Sequence, residues 1–282
     1  IVFGDWSSDV CSSDLGEDQL DRYLAMGALP NIDRCLIQRG VRVRHAFSTL
    51  PSITYANTAT LLTGRSSAHH GIVGNRFFDR HQLRCQDYAH IKTYQTAEDD
   101  LLGPTIYDML DAPFTVSIQS AIRKGADHTI DNWMTSGINW FFGNYTEVDR
   151  LIAIRFELIA DIASSTGRWP EFIHVYFPAL DETLHRFGPD GAAHIAALRN
   201  VDAQIGRIVD GLDRAGLLDQ TLLVLVADHG HVATSRTDWI DLPRFLRDRH
   251  GLAVHAGLYV DGRYHERARY FSRYDAVVAV DG

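Results

Sequence analysis

Two periods of apolar residues alternate along the chain. Val148, Leu151, Ile152, Leu158, Ile159 and Ile162 keep the spacing of an amphipathic helix. Ile195, Leu198, Val201, Ile205, Ile208 and Leu212 do the same, and Gly216 ends that helix. Short continuous apolar runs accompany them. Phe172–Phe177 is bounded by Pro170 and Pro178, and Thr221–Ala227 (TLLVLVA) is apolar on both faces, the pattern of a central parallel strand. Nearer the start, Gly16–Gly40 reads as a helix, a turn at residues 27–30 and a second helix. Val41–Phe47 alternates apolar and polar residues as a strand does, and Thr54–Thr63 reads as a helix closed by Gly64. Residues 76–147 are less regular. A helix is predicted over Pro104–Leu110 and a strand over Phe114–Ile118, while Trp133, Trp140, Phe141, Phe142 and Tyr145 read as loop or cap. The late stretch LYVDGRY carries the Asp-Gly of a hairpin turn. Strands alternating with helices through short connections predict an α/β fold, a three-layer α/β/α sandwich around a mostly parallel sheet.

Composition narrows the function classes. With 282 residues, 45% hydrophobic and 22% charged, the chain is globular and long enough to bury a core without disulfides. A formal charge of −9 argues against a nucleic-acid binder that works by neutralising phosphates. It leaves room for a small phosphorylated substrate, because bound metal ions reverse the local sign. Cys11, Cys35 and Cys85 form neither a disulfide framework nor a zinc knuckle. No apolar run approaches the roughly 20 residues of a membrane span, and nothing points to an obligate protein partner.

Three stretches carry candidate chemistry. Asp228 and His229 follow directly on TLLVLVA, at the strand end where open α/β sheets keep their ligands. A carboxylate and an imidazole in one tight turn suit zinc, although an Asp-His-Gly turn alone also serves as a plain capping turn. Asp181 lies just past Phe172–Phe177, and His185 follows at i+4, on the same face of a helical turn. Thr54 opens the helix after PSI, where the positive helix end favours an alkoxide or a phosphoryl group. A simple N-cap role fits Thr54 on local grounds as well. Asn57, three residues on, could direct an amide N–H at a phosphoryl oxygen.

Together PSITYANTATLLTGRSSAHHGIVGNRFFD, ALDETLHRFGP and VADHGH resemble the type I phosphodiesterase and nucleotide pyrophosphatase branch of the alkaline phosphatase superfamily. The resemblance runs from about Gly16 to His231, with Thr54-Tyr55-Ala56-Asn57, Thr63-Gly64, His70-Gly71-Ile72 and Gly74-Asn75 in order. Ala56 stands where the family often has Pro. The resemblance implies an alkaline-phosphatase-like fold and a hydrolase of phosphodiester or pyrophosphate bonds with Thr54 as nucleophile, working through a covalent phosphothreonine. It implies two zinc ions, one on Asp181 and His185, the other on Asp228, His229 and the Thr54 oxygen, with Asn57 on the phosphoryl oxygen. It implies a nucleotide or phosphodiester substrate and a periplasmic or extracellular location. A phosphonoacetate-type phosphonate hydrolase shares much of this context, and a fragment or pseudo-enzyme with an incomplete metal site is the non-catalytic alternative. A C-x-P-x-R sulfatase motif is missing. In the family the His69-His70 turn shapes the site without ligating, and His231 stands behind the ligands at most.

Two family ligands have no clear counterpart. The first zinc Asp would fall near residues 13–15, where this chain reads SSDVCSSDLG, a near-repeat that looks like translated sequencing-adapter. Residues 1–15 are therefore expected to be non-native, with Asp14 as an accidental substitute ligand and residues 16–282 as one catalytic domain carrying a cap-like insertion over about 76–147. The further zinc His is expected beyond a C-terminal truncation. His250, His255 and His265 lack its His-Gly context and read as surface residues.

Overall fold

A computed structural model describes residues 6–12, 15–89, 96–111, 114–131, 133–231, 240–257, 260 and 262–279. In chain order the elements begin with β1 (Trp6–Ser12), α1 (Glu17–Ala25) and α2 (Pro30–Ile32), which runs on through a π turn to Ile37. Next come α3 (Thr54–Thr63), α4 (Ser67–His70), β2 (Arg76–Asp79), β3 (Arg84–Asp87), α5 (Thr96–Asp100) and α6 (Ile106–Met109). β4 (Thr115–Ile118), β5 (His128–Ile130), α7 (Trp133–Phe141), α8 (Tyr145–Thr166), β6 (Phe172–Phe177), α9 (Ala179–Phe187) and α10 (Ala192–Arg214) follow. The last elements are β7 (Thr221–Val226), α11 (Leu242–His250), β8 (Val254–His255), α12 (Tyr264–Phe271) and β9 (Ala276–Val277).

The main sheet is parallel throughout, in the order β5-β4-β6-β1-β7. Parallel neighbours need crossovers, and α8 and the α9–α10 pair supply them around β6. One face of the sheet, with Val116, Ile118, Ile173, Val175 and Phe177, packs on α8, α10 and α2. The opposite face meets α3, α5 and α6, with Phe172 beside Leu62, Leu101, Ile106 and Tyr107. These two cores make the three layers expected from the alternation of strands and helices. Each buried Phe or Ile contributes about 2–3 kcal/mol, so the β6 run alone anchors both layers.

Several elements depart from the sequence expectation. Val41–Phe47 forms no strand, and Val41, Val43 and Phe47 stand exposed; alternation does not make a strand where no neighbour takes its backbone groups. β7 is an edge strand among the described residues and is only half-buried, because β1 pairs it on one side alone. The aromatic stretch expected as loop is helix α7, packed on α8 through Trp140, whose ring meets Tyr145 at 4.9 Å. The expected hairpin in LYVDGRY rests on Leu258, Tyr259 and Asp261, which lie outside the described residues. So do Ile1–Phe3.

Candidate active site

The carboxyl ends of β6, β1 and β7 lie side by side, because β1 is in parallel register with both neighbours: Ser12 with Phe177, Cys11 with Val226. The residues that follow β6 and β7 therefore emerge along one sheet edge, where a helix can meet them. α3 does so with its first residue. Ile53 is the extended residue before the helix, so Thr54 is the first helical position and not the cap. Its hydroxyl does not bond its own helix end. Thr54 Oγ1 instead lies 3.1 Å from His229 Nε2.

The same nitrogen faces a carboxylate. Asp228 Oδ2 is 3.6 Å from His229 Nε2, with the Asp228 side chain fully buried. His229 Nδ1 stands 3.3 Å from the Gly230 carbonyl, which takes its N–H and turns the Nε2 lone pair toward Thr54. In a nucleophile–histidine–aspartate relay the carboxylate holds the other ring nitrogen. Here hydroxyl, imidazole and carboxylate crowd one point. Zinc–ligand bonds of about 2.0–2.1 Å in a tetrahedron put neighbouring ligand atoms roughly 3.3 Å apart, so this donor set fits a single cation.

The second pair repeats the spacing. Asp181 Oδ1 and His185 Nε2, at i and i+4 on α9, are 3.4 Å apart. The His231 ring stands edge-on to His185, 4.8 Å between centroids, so His231 reaches the second pair from the turn that carries the first. Among the described residues no three His, Cys, Asp or Glu side chains gather as a metal would require, so each pair is a partial donor set. The chain leaving β1 passes the same place: the Gly16 Cα is 3.8 Å from where a Cβ on Gly230 would stand. Asp14 itself lies outside the described residues.

Asn57 does not stand as expected. Its Oδ1 accepts from the Thr49 N–H at 2.8 Å, and its amide donates to the Pro51 and Ile53 carbonyls at 3.1 and 3.0 Å. Buried beneath its own loop, it has both amide hydrogens committed and fastens the turn that delivers Thr54. Asn75 is the amide that spacing on one helix could not reveal. Its Oδ1 accepts from the Tyr55 N–H at 3.0 Å, beside Thr54 in the first turn of α3. The turn that brings it there is held by His70, which is fully buried. The His70 Nδ1 accepts from the Ile72 N–H, Nε2 meets Thr60 Oγ1 at 3.0 Å, and burial lowers its pKa, so the ring is a neutral brace.

The remaining candidates separate clearly. His255 is buried, not a surface residue; its Nε2 lies 2.9 Å from the Gly257 carbonyl and its ring packs among Tyr270, Phe271 and Tyr274. His250 and His265 are exposed. Phe141 and Phe142 point largely into solvent, so with Trp140 on the core side they do not line one aromatic pocket.

Known proteins share this arrangement of elements. A family model described as type I phosphodiesterase / nucleotide pyrophosphatase matches residues 15–280. A pyrophosphatase/phosphodiesterase of Schizosaccharomyces pombe is 26% identical over 227 residues, 78% of this chain and 44% of that protein. The bis(5'-adenosyl)-triphosphatase of Xenopus laevis is 25% identical over 230 residues, 78% of this chain and 46% of its own length. The chain thus spans about half the length of these curated relatives. Among solved structures, an inactive form of murine ectonucleotide pyrophosphatase / phosphodiesterase 5 in complex with AMP superposes with a TM-score of 0.68. That match has 20% identity and covers 87% of this chain and 62% of the other, a likeness of fold. On the match over residues 15–280, the chain belongs to the type I phosphodiesterase / nucleotide pyrophosphatase family.

Proposed function

We propose that the protein is a metal-dependent hydrolase of phosphodiester or pyrophosphate bonds, with Thr54 as nucleophile and a phosphothreonine intermediate. The observation that carries this reading is the convergence of Thr54 Oγ1 and Asp228 Oδ2 on one nitrogen of His229, at 3.1 and 3.6 Å. Asp228, His229 and Thr54 would hold one zinc ion, and Asp181 and His185 would contribute to a second. When bound, the two ions would lower the pKa of a coordinated hydroxyl and stabilise charge on the reacting oxygens.

The chain's own residues supply the rest. The buried Asn57 fixes the 49–53 turn, so Thr54 is presented without a search through rotamers and loop states. The N-terminal end of α3 favours the charge that develops on Thr54 and on the transferred phosphoryl group. Asn75, oriented by its bond to the Tyr55 N–H, directs its amide group at a phosphoryl oxygen in this reading. The Thr54 oxygen forms the new bond to phosphorus as the bond to the leaving oxygen breaks, and water later cleaves the phosphothreonine. The relatives' names and the AMP complex of the murine protein favour a nucleotide as substrate, and their ecto-enzyme names favour a site outside the cytoplasm. No described helix is long and apolar enough to cross a membrane.

The test is Thr54→Ala, assayed on bis-p-nitrophenyl phosphate, a nucleotide pyrophosphate and phosphonoacetate. The expected result is a loss of at least about 10³-fold in kcat with an unchanged circular dichroism spectrum. Turnover at the wild-type rate would overturn the reading. Preference for phosphonoacetate in the wild-type protein would move the activity to carbon–phosphorus cleavage.

A further inference from the structure

α9 carries two groups of residues at different angles round its axis. At roughly 100° per residue Ala179, Glu182 and Arg186 fall within about 60° of one another on one side, while Asp181 and His185 lie about 200° and 240° round from Ala179. The first side is gripped by two residues of α8, Tyr145 and Asp149, themselves one turn apart. The Tyr145 hydroxyl donates to Glu182 Oε1 at 3.4 Å, and the Arg186 guanidinium lies 5.4 Å from the Tyr145 ring centroid while pairing with Glu182. Asp149 is fully buried, and its Oδ1 accepts from the Ala179 N–H, the first orphan donor of α9, at 3.3 Å. Its Oδ2 is buried with no hydrogen-bond partner among the described residues.

A buried carboxyl with a single bond is costly, and an apolar residue of its size would fill the same space. What an apolar residue could not do is hold the start of α9 at one rotation. We propose that Asp149 is a positioning residue: through the Ala179 N–H it sets the rotation of α9 and so aims Asp181 and His185 at a common divalent cation. The inference rests on the metal-dependent reading above for its last step. Burial holds the Asp149 carboxyl well above the usual carboxylate range, so the side chain acts as a neutral acceptor and asparagine is its closest replacement.

The experiment compares the full chain with Asp149→Asn, Asp149→Ala and Asp149→Leu; the leucine fills the space without an acceptor and serves if the alanine variant does not fold. Two readouts are needed. The first is metal-free: the nuclear Overhauser contact between the labelled imidazoles of His185 and His231, whose centroids are 4.8 Å apart. The second is a cobalt(II) titration followed by its visible absorption, in which the Asp181/His185 class is the part lost in Asp181→Ala. The class lost in His229→Ala serves as the control for folding. Asp149→Ala or Leu is expected to lose the ring contact and weaken the first class about 10- to 100-fold, with the control class unchanged. Asp149→Asn is expected to retain both. A ring contact and cobalt affinity unchanged in the alanine or leucine variant would overturn the proposal, as would an asparagine variant impaired to the same degree. Cobalt binding indifferent to Asp181→Ala would sink the metal reading instead, and the ring contact would still decide the role of Asp149.

Discussion

His174 sits in the middle of β6, in register with Ser117 of β4 and Asp9 of β1. Its Nδ1 has no hydrogen-bond partner among the described residues, and burial depresses its pKa to about 4. The unfolded chain takes up a proton at about 6.5 and the folded one only near 4. Between these values the unfolded state binds more protons, so stability is lost as pH falls through the window. The expected loss attributable to His174 is about 3 kcal/mol from pH 6.5 to 4. Urea unfolding of His174→Phe across that range is expected to give a flatter profile than wild type, other titrations being common to both. Parallel profiles would show that the ring is not the group responsible. Residues like His174 leave no mark in sequence, because their chemistry comes from what surrounds them. The places of Thr54, Asp181, His185, Asp228 and His229 in the fold were legible because each sits at an element end or one turn from its neighbour. The bonds of Asn57 were not, since they depend on how residues 49–53 fold back over it.

At the scale of elements, the start of α2 depends on a residue far along the chain. Asp202 of α10 accepts from the N–H groups of Asn31 and Ile32 at 3.0 and 2.8 Å, and from Asn31 Nδ2 at 2.9 Å. One turn on, Gly206 leaves room for this approach: a Cβ there would meet Asn31 Cγ and Oδ1 at 2.6 Å. Asp202→Ala would strand helix-start donors in a buried place, at a cost of about 2–3 kcal/mol. Denaturant unfolding is expected to show that loss as a lower midpoint at unchanged slope, and a shift within about 0.5 kcal/mol would mean water replaces the carboxylate. Elements with a strong local period were read almost to the residue: α3 closes at Gly64 in a left-handed turn, and β6 has the predicted bounds. Val41–Phe47 failed because a period of two marks a candidate strand and cannot supply its neighbour. β1 is the opposite case. Trp6–Ser12 carries Ser7, Ser8, Asp9 and Ser12, yet it takes a place between β6 and β7, since ladder pairing is made by backbone groups that every sequence has.

At the scale of the whole molecule, the candidate metal donors come from elements that meet only in the folded state. Thr54 opens α3 on one face of the sheet, Asp181 and His185 ride on α9, and Asp228 and His229 leave β7. The unfolded chain holds these groups far apart along its length, so a cation bound by them stabilises the native state by mass action. At free zinc about 100-fold above its Kd that amounts to roughly 2.7 kcal/mol per site. For a domain of this size each kcal/mol moves Tm by about 2–4 °C, so a filled site is expected to raise Tm by about 5–10 °C. Dialysis against a chelator followed by a zinc titration, read by thermal unfolding, measures it directly. His229→Ala and Asp181→Ala are each expected to remove part of the rise, and the double variant all of it. The sharper discrimination is in their sum. His231 belongs to the turn of one pair and touches the ring of the other, so the two losses are expected to depart from additivity where the ion at one pair orders the other. A rise in Tm that survives both substitutions would place zinc elsewhere on a chain of net charge −9, on surface carboxylates that have nothing to do with Thr54.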